Sequence, residues 1–276
     1  MNKKVVIIII TCLIVLPPLL LLAPYLFIVA LLVGMVIFKL KFPQIKGAVG
    51  EAYVNRILSQ LGTNYTIYHD LYIPNDKGGT TQIDHVVTSP FGIFVIETKH
   101  YEGWIFGKEN QKYWTQVIYK RKEKLFNPIW QNRAHVEALK TYLDKEDKGY
   151  FHSIIVFSTN STFKFDMSFT SAVVIQFPQL LSEIKQRNAQ SISGLELRAI
   201  DKALEQVVIT DKQEKRQVKR KHVEVIKNNR ANERKQEVHD NICPKCGGQL
   251  SVRSGEFGSF LGCSNYPKCR YTNKVS

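Results

Sequence analysis

An uncharged, mostly apolar run near the N-terminus constrains this chain more than any other feature. Val5 to Phe38 are 34 consecutive positions without Asp, Glu, Lys or Arg. As one helix the run is about 50 Å long, which exceeds a hydrocarbon core of roughly 30 Å. Two interpretations are open: a single tilted or kinked span, or a tight hairpin that turns between Pro17 and Pro24. Either one predicts a transmembrane anchor over residues 1–38.

Positive charge lies on both sides of this run, on Lys3, Lys4, Lys39, Lys41 and Lys46. Because Lys and Arg are enriched in cytoplasmic segments, this distribution favours the hairpin, with both ends in the cytoplasm. A cleaved signal peptide does not fit, since the run is too long and lacks a small-residue cleavage site. We therefore predict a protein of the cell membrane whose soluble domains face the cytoplasm.

The chain as a whole is basic, with 38 Lys and Arg, 24 Asp and Glu, and a formal net charge of +14. A positive surface of this kind suits a polyanionic partner. Nucleic acid and an anionic lipid surface both satisfy that requirement, and charge alone does not distinguish them.

The region after the anchor alternates helical and strand-like patterns. A helical pattern from Gly47 to Gly62 is followed by a strand, a β-hairpin, further strand patterns and a helix over residues 127–143. Two more strand patterns and two helical patterns complete the region. The order predicts an α/β domain over residues 47–208.

The next segment, residues 209–240, differs in composition. Between Asp211 and Asp240 it has ten Lys or Arg, six Asp or Glu, few apolar residues and no Gly or Pro. We interpret it as a basic charged linker, either a solvated helix or a flexible arm. A specific role in DNA binding is the alternative.

The predicted hairpin brings two carboxylates together. Gln82–Thr88 is strand-like, Ser89–Gly92 is turn-like, and Ile93–Lys99 is strand-like again. If the loop has two residues, Asp84 faces Glu97 across the pair. Their Cβ atoms are then roughly 5 Å apart, and the two charges repel unless a cation neutralises them.

A lysine shares the face of these carboxylates. Side chains two apart along a strand point the same way, so Lys99 projects beside Glu97. Mg²⁺ and Mn²⁺ prefer oxygen ligands, which Asp84 and Glu97 supply, and the metal activates a water and neutralises phosphate charge. Lys99 would stabilise that charge or help to deprotonate the attacking water. The pattern predicts a metal-dependent nuclease site.

Several motifs around this hairpin resemble the nuclease-related domain, a family placed in the PD-(D/E)xK restriction-endonuclease-like group. The resemblance covers about residues 45–160 and runs through Gly47-x-x-Gly50-Glu51, Gln82-Ile83-Asp84, Gly92-x-x-Val95-Ile96-Glu97-x-Lys99, Gly103 and Asn127-Pro128-x-x-Gln131. It implies a mixed sheet flanked by helices. It also implies an active-site triad and an auxiliary acid from the first helix, namely Asp84, Glu97 and Lys99 with Glu51.

One departure from the group's pattern is that Ile83, not proline, precedes Asp84. Within the predicted site, Gln131 lies on the helix that begins near Asn127, and we expect it to orient the substrate. The flanking residues His85 and His100 should point to the opposite faces of their strands. We expect structural roles for both histidines.

Four of the five cysteines cluster near the C-terminus as Cys243-x2-Cys246 and Cys263-x5-Cys269. Two pairs at this spacing can close a tetrahedral Zn²⁺ site. The pattern predicts a zinc ribbon over residues 241–276 and a reducing compartment. Cys12, in the apolar run, is expected to act only as a small apolar residue.

The ribbon resembles the C-terminal zinc finger of bacterial type I DNA topoisomerases over about residues 241–273. The resemblance implies DNA binding, with single strands as the expected form. Aromatic side chains for base stacking and basic side chains for phosphates are available, namely Phe257, Phe260, Tyr266, Tyr271, Lys245, Arg253, Lys268 and Arg270. Some of these aromatics could instead form the ribbon's own small core.

Together these features predict a membrane-anchored nuclease that acts on DNA, with structural Zn²⁺ and catalytic Mg²⁺ or Mn²⁺. The alternative is a non-catalytic scaffold that holds nucleic acid or a protein partner at the membrane. A third interpretation assigns the basic surface to anionic lipid next to the anchor. The nuclease interpretation alone requires a divalent metal at Asp84 and Glu97.

Overall fold

A computed structural model describes residues 3–75, 79–145, 149–165, 169–256 and 258–274, although not the side chains of residues 3–24, 26 and 212. The helices are α1 (Lys3–Leu58), α2 (Pro128–Leu143), α3 (Leu180–Lys185), α4 (Gly194–Glu205) and α5 (Lys212–His239), with a short 3₁₀ helix at Phe177–Gln179. The strands are β1 (Thr66–Pro74), β2 (Thr80–Ser89), β3 (Gly92–Lys99), β4 (Gly103–Phe106), β5 (Tyr113–Ile118), β6 (Arg121–Phe126), β7 (Phe151–Phe157), β8 (Ser161–Phe163), β9 (Val173–Gln176), β10 (Leu250–Gly255), β11 (Gly258–Cys263) and β12 (Thr272–Lys274).

The first helix is longer than the sequence predicts. It runs without a break from Lys3 to Leu58, through Pro17, Pro18 and Pro24. It therefore has the geometry of the single-span alternative, and the predicted hairpin turn is absent from the described part of the chain. In that part of the chain, one helix is long and apolar enough to cross a membrane, over Phe27–Leu58.

The predicted start of a separate helix at Gly47 is also wrong, because α1 already includes that position. Between the apolar run and Gly47, Pro43 disfavours a helix because proline removes a backbone hydrogen bond and its ring clashes with the preceding turn. The helix nevertheless continues through Pro43. The C-terminal turns of α1 bury Val54 and Leu58 completely. They attach the helix to the domain that follows.

The central sheet has the strand order β1-β2-β3-β7-β9. β2 and β3 are antiparallel, whereas β3 and β7 and also β7 and β9 are parallel. The predicted hairpin is confirmed, with His85 opposite Ile96 and Ser89 opposite Gly92. The sheet is therefore mixed, as predicted, and β3 lies at its centre.

The main core packs against this sheet from the end of α1 and from α3. β3 is apolar on both faces, and Ile93 to Ile96 are fully buried. Such a strand belongs between two layers, which is where the structure has it. The buried residues of this core are Val54, Leu58, Val87, Phe94, Ile96, Ile154, Val156, Ile175, Phe177, Leu180 and Ile184.

A second sheet has the order β6-β5-β4-β8. Its inner face buries Trp114, whose ring stacks with that of Phe157 at a centroid distance of 6.3 Å. The sequence patterns indicate β4 and β5 but not β6 or β8. Four of the six residues of β6 are charged, at Arg121–Lys124, so it lacks an apolar signal, and its backbone pairing with β5 forms the strand.

The chain folds into two compact units. The first comprises residues 1–69, 84–134 and 148–197, and the second comprises residues 70–83, 135–147 and 198–276. The second unit contains α5, so the predicted linker is helical. Asp211 caps this helix by accepting hydrogen bonds from the amides of Gln213 and Glu214.

One side of α5 packs against other parts of the second unit. Lys215 Nζ lies 2.8 Å from Asp70 Oδ2, and the imidazole Nδ1 of His222 lies 2.9 Å from the carbonyl oxygen of Thr80. The helix is followed by the three-stranded ribbon, whose strands β10, β11 and β12 are antiparallel. The predicted linker therefore has specific interactions of its own.

Candidate nuclease site and zinc site

Five residues of the predicted nuclease site come from four elements of the first unit. β3 contributes Glu97 and Lys99, β2 contributes Asp84, α1 contributes Glu51, and α2 contributes Gln131. The period-two alternation of β3 points Glu97 and Lys99 to the same side of the sheet. α2 begins directly after Asn127, which places Gln131 in its first turn.

Three of these side chains form a closed triangle of hydrogen bonds. Lys99 Nζ donates to Glu97 Oε1 at 2.6 Å and to Gln131 Oε1 at 2.9 Å. Gln131 Nε2 donates to Glu97 Oε1 at 2.7 Å. Glu97 is only 3% exposed, so this carboxylate is held by two donors away from bulk water.

Asp84 lies beside this triangle. Its Oδ2 accepts a hydrogen bond from the backbone N–H of Thr98 at 2.9 Å, which bridges β2 and β3 at the predicted position. Burial raises the pKa of Asp84 well above its usual range, and the negative charges of Glu97 and Glu51 raise it further. Lys99 and the Thr98 amide act in the opposite direction but do not compensate. Negative charge at this place is therefore in excess.

Lys99 is a permanent cation in this setting. Burial lowers the pKa of its ammonium, but the charges of Glu97, Tyr101 and Asp84 more than reverse the effect, and the resulting pKa lies above the usual value. A lysine with a raised pKa does not accept a proton from water near neutral pH. Of the two roles expected for Lys99, stabilisation of negative charge is the one that this environment favours.

The carboxylates of Asp84 and Glu97 fit a hard divalent cation by their chemistry. Mg²⁺ is usually held by one or two carboxylates, with water and substrate phosphate as the remaining ligands. A cation would also favour the ionised form of Asp84, whose pKa is raised by burial and by the charges of Glu97 and Glu51. In the described part of the chain, however, no three acidic side chains bring their oxygen atoms together at one point. In addition, Lys99 Nζ lies 2.6 Å from Glu97 Oε1, an oxygen that a metal would need.

The four cysteines of the ribbon do converge on one point. Their Sγ atoms all lie within 4.8 Å of one another, with 3.8 Å between Cys243 and Cys269 and 3.3 Å between Cys246 and Cys263. Tetrahedral Zn²⁺ with Zn–S bonds of about 2.3 Å separates sulfurs by roughly 3.8 Å. The donor set and its spacing therefore fit structural Zn²⁺.

Backbone amides support the thiolate form of these ligands. Gly248 N–H donates to Cys246 Sγ at 3.4 Å, and Asn265 N–H donates to Cys263 Sγ at the same distance. The Gly248 amide, together with the Asn265 side chain, lowers the pKa of Cys246 to about 6. Burial instead raises the pKa of Cys263 to about 12, so without metal the hydrogen bonds favour the thiolate, the form that zinc binds, at Cys246.

Comparisons with known proteins agree with both family resemblances. Residues 46–158 match the family described as Nuclease-related domain, and residues 240–276 match the family described as Topoisomerase DNA binding C4 zinc finger. The chain carries a nuclease-related domain and a topoisomerase-type zinc finger. The first match contains all five predicted nuclease-site residues, and the second contains all four cysteines.

Individual relatives cover one or the other of these parts. An uncharacterized protein of Bacillus anthracis is 39% identical over 123 residues, which is 44% of this chain and 58% of that protein. DNA topoisomerase 1 of Methanocaldococcus jannaschii is 76% identical over 37 residues, 13% of this chain and 5% of the topoisomerase. An uncharacterized protein of Escherichia coli is 58% identical over 33 residues, 12% of this chain and 18% of that protein. No solved structure matches the chain.

The chain thus spans less than two thirds of each of these relatives. The similarity to the Bacillus protein lies in a stretch of 123 residues, and the similarity to the topoisomerase lies in a stretch of 37. Each relative is therefore informative about one part of the molecule.

The zinc finger has an open surface groove of about 280 Å³ that contains several predicted DNA-binding residues. Its lining includes Arg253, Phe260, Tyr266, Arg270 and Tyr271. Tyr266 is 61% exposed, whereas Tyr271 packs against the cysteine cluster. The predicted aromatics are thus divided between surface and core. Lys245 and Lys268 are exposed, and Phe257 lies outside the described residues.

The two histidines that flank the nuclease site have structural partners. His85 is buried, with Nε2 3.1 Å from Asn55 Oδ1, and His100 Nδ1 lies 2.7 Å from the carbonyl oxygen of Lys46. His100 also packs on α1 at Gly50, where an added Cβ would lie 2.7 Å from His100 Cβ. Both side chains tie strands of the site to the first helix.

Two buried asparagines that position α2 are missing from the sequence-based site. Asn127 donates to the carbonyls of Lys108, Glu109 and Gln111 and accepts from the Ile129 amide. Asn132 Nδ2 donates to the Val95 carbonyl at 2.8 Å and to Ser153 Oγ at 2.8 Å. Asn127 belongs to the recognised Asn-Pro motif. The only signal for Asn132 is a polar residue beside Gln131 on the inward side of an amphipathic helix.

Proposed function

We propose that the nuclease-related domain is a metal-dependent nuclease that hydrolyses phosphodiester bonds in DNA, anchored to the cell membrane by α1 with its domains in the cytoplasm. The observation that carries the proposal is the convergence of Glu97, Lys99 and Gln131 within 2.6–2.9 Å of one another, beside Asp84. One carboxylate pair, one fixed ammonium and one amide form a set that suits phosphate chemistry.

Each side chain has a role in this proposal. Asp84 and Glu97 would hold Mg²⁺ or Mn²⁺, with Glu51 as an auxiliary acid near Asp84. When bound, the metal supplies a water of lowered pKa and neutralises phosphate charge. Lys99 stabilises the charge that develops on the phosphate oxygens. Gln131 holds Glu97 and Lys99 in place and orients the substrate through its amide.

Binding of a substrate phosphate requires a change in the hydrogen bonds among Glu97, Lys99 and Gln131. Lys99 Nζ now donates to Glu97 Oε1 at 2.6 Å and to Gln131 Oε1 at 2.9 Å. A lysine has three N–H donors, so it can turn one of them to a phosphate oxygen while it keeps one bond to the protein. A cation at Glu97 would offset the weakened interaction with the ammonium.

The zinc finger would contribute binding rather than chemistry. Its family match and its groove with Arg253, Arg270 and Tyr266 support an interaction with nucleic acid. Single strands are the form that exposed Tyr266 suits best, because a stacking side chain needs an unpaired base.

A test of the catalytic assignment uses the purified full-length protein in detergent with Mg²⁺ and a plasmid substrate. Asp84→Ala and Lys99→Ala should each abolish cleavage while the zinc content stays close to that of the wild type, and melting curves confirm that each variant is folded. Lys108→Ala removes an exposed lysine of the same domain and should cleave normally. Full cleavage by both site variants would refute the assignment.

A non-catalytic scaffold that binds nucleic acid at the membrane is the second candidate. The observation that favours it is the ion pair between Lys99 and Glu97 at 2.6 Å, which uses a carboxylate oxygen that a metal would need. Under this alternative the wild-type protein binds plasmid and single strands without a requirement for Mg²⁺, and it cleaves neither of them.

A further inference from the structure

The outer face of the second sheet carries four exposed aromatic rings, which we name the aromatic platform. Alternation along the strands buries Ile105 and Trp114 and directs the platform residues outward. Trp104 is 51% exposed, Phe106 38%, Tyr113 47% and Phe126 46%. Scattered exposed apolar residues are ordinary, but a contiguous group on one face marks an interaction site.

The strand register makes these rings contiguous. Tyr113 lies directly opposite Phe126, and their ring centroids are 6.4 Å apart. Trp104 and Phe106 are two residues apart on β4, with centroids 6.5 Å apart, and both are paired with β5. The four rings therefore form two edge-to-face pairs on three neighbouring strands, and each of these residues is more than one third exposed.

Lysines surround the rings. Lys112 and Lys124 lie over the ring of Tyr113 at 5.5 and 5.9 Å, and Lys164 lies over the ring of Trp104 at 5.2 Å. Lys122 also points outward, opposite Val117. The face therefore combines flat apolar rings with positive charge.

Among the described residues, two carboxylates near this face are each paired with a cation. On β6, Glu123 alternates with the outward lysines, lies opposite the buried Gln116 and forms an ion pair with Arg121. At the border of the platform, Glu102 is neutralised by Lys46, with Nζ 3.0 Å from Oε1. The electrostatic character of the platform is thus one-sided and suits an anion.

We infer that the aromatic platform binds single-stranded nucleic acid, with unpaired bases stacked on its rings and phosphates held by its lysines. Stacking rings interleaved with cations are the combination that a single strand requires. A duplex would bury its base faces within its own stack. This inference rests on the proposed function only in its choice of nucleic acid as the substrate class. It predicts that the platform binds a single strand for the nuclease-related domain without help from the zinc finger.

The test measures binding of the full-length protein in detergent to fluorescent dT20 and U20 and to a duplex of equal length. An Asp84→Asn background with zinc retained and no Mg²⁺ prevents cleavage, so the result does not depend on whether the protein is an active nuclease. The variants are Trp104→Leu, Tyr113→Leu and the pair Lys124→Gln with Lys164→Gln. Leu195→Ala, which truncates an exposed apolar side chain of α4, is the matched control.

We expect each aromatic variant to weaken dT20 binding about fivefold or more. Each lysine removed should reduce the slope of log K against log salt by about 0.7, the value for single strands. The Leu195→Ala control and duplex binding should change little. Bound dT20 should also quench tryptophan fluorescence in the parent but not in Trp104→Leu.

Wild-type dT20 affinity in the folded aromatic variants and in the lysine pair would overturn the inference. A bilayer is the competing occupant, since aromatic rings and lysines also suit a membrane interface. If brominated phosphatidylcholine in reconstituted vesicles quenches Trp104 while dT20 does not, the platform faces lipid and the inference fails. Melting curves show whether each variant is folded. If an aromatic variant is unfolded, the lysine pair, which leaves every ring in place, is the variant that tests the inference.

Discussion

At the scale of single residues, the nuclease site concentrates more negative charge than its surroundings neutralise. Asp84 receives one hydrogen bond from the Thr98 amide, while burial and Glu97 raise its pKa. Glu97 itself has Lys99 and Gln131 as donors. An ionised Asp84 therefore destabilises the folded protein until a cation binds nearby.

This imbalance predicts that Asp84→Asn stabilises the metal-free protein. A carboxyl whose pKa is raised by folding contributes stability below its unfolded pKa of about 3.9 and loses it as pH rises through the folded value. Near neutral pH the amide avoids this cost and can still accept the bond from Thr98. We expect the melting temperature of the variant to exceed that of the wild type by about 2–4 °C for each kcal/mol of destabilisation that the substitution removes. The difference should shrink as pH falls toward about 4.

Melting curves followed by circular dichroism between pH 7.5 and 4, without added Mg²⁺, measure this difference. Asp70→Asn is the control, because Asp70 pairs with Lys215 at 2.8 Å and accepts from Gln82 at 2.6 Å. Its loss should lower the melting temperature or leave it unchanged. A lower melting temperature for Asp84→Asn at pH 7.5 would contradict the charge imbalance.

Some residue positions were predictable because they depend on local geometry alone. A two-residue turn and period-two alternation suffice to place Asp84, Glu97 and Lys99 on one side of the hairpin. The hydrogen bond between Gln131 and Glu97 spans 34 residues and depends on how α2 packs. Asn132 was missed for the same reason, since its partners on β3 and β7 are set by tertiary packing.

At the scale of elements, α5 has two different faces. The side with Lys215, His222 and Val225 is partly buried in the second unit. A row of exposed basic residues follows another side of the helix, and each of them lies three, four or seven residues from another member. This basic stripe consists of Arg216, Lys219, Arg220, Lys227, Arg230 and Arg234. At 1.5 Å per residue it is about 27 Å long.

We predict that the basic stripe binds nucleic-acid phosphates. The pair Arg216→Gln with Arg220→Gln should weaken DNA binding and reduce the salt slope by about 0.9 for each duplex phosphate that is no longer neutralised, or about 0.7 for single strands. Anisotropy titrations at four or more salt concentrations measure the slope. The pair Lys221→Gln with Lys235→Gln removes the same two charges at exposed positions outside the stripe and should have a clearly smaller effect. An identical response of the two pairs would indicate only general charge attraction.

Elements with strong apolar periodicity were predictable, and elements formed mainly by backbone pairing were not. β2, β3, β7 and α2 have clear patterns and lie where the sequence predicts them. β6 has the composition of a loop but pairs with β5 over six positions, Arg121 to Phe126. The continuity of α1 was also missed, because the composition changes at Lys39 while the backbone conformation does not.

At the scale of the whole molecule, the chain joins an apolar helix, a nuclease-related domain and a zinc finger. The contributions of the last two to binding and to cleavage can be tested separately. The zinc finger is expected to add affinity without chemistry. Its four cysteines form the metal site, and small zinc domains usually need the metal to fold.

Truncation after Asp240 should therefore weaken DNA affinity and flatten its salt dependence, while metal-dependent cleavage of plasmid continues at higher enzyme concentration. Cys263→Ser should reproduce the binding defect and release zinc, as measured by a colorimetric zinc assay. Unchanged DNA affinity after either change would refute a binding role for the finger.

The zinc ligands were predictable because the spacing of the four cysteines identifies them. The aromatic platform was not, although Trp104 and Phe106 alternate with the buried Ile105. An exposed ring and a buried ring look alike in sequence, and the outward face is defined only once β4, β5 and β6 pair. Three-dimensional pairing, rather than any local pattern, assembles that surface.

The measurement that tests the central claim most directly is cleavage of plasmid and circular single-stranded DNA by the purified full-length protein with Mg²⁺ or Mn²⁺, beside Glu97→Ala. Glu102→Ala, a half-exposed glutamate of the same domain, is the matched control. We predict cleavage that requires the metal, persists in Glu102→Ala and is lost in Glu97→Ala. Binding of both substrates without cleavage by the wild type, or equal cleavage by Glu97→Ala, would contradict the account.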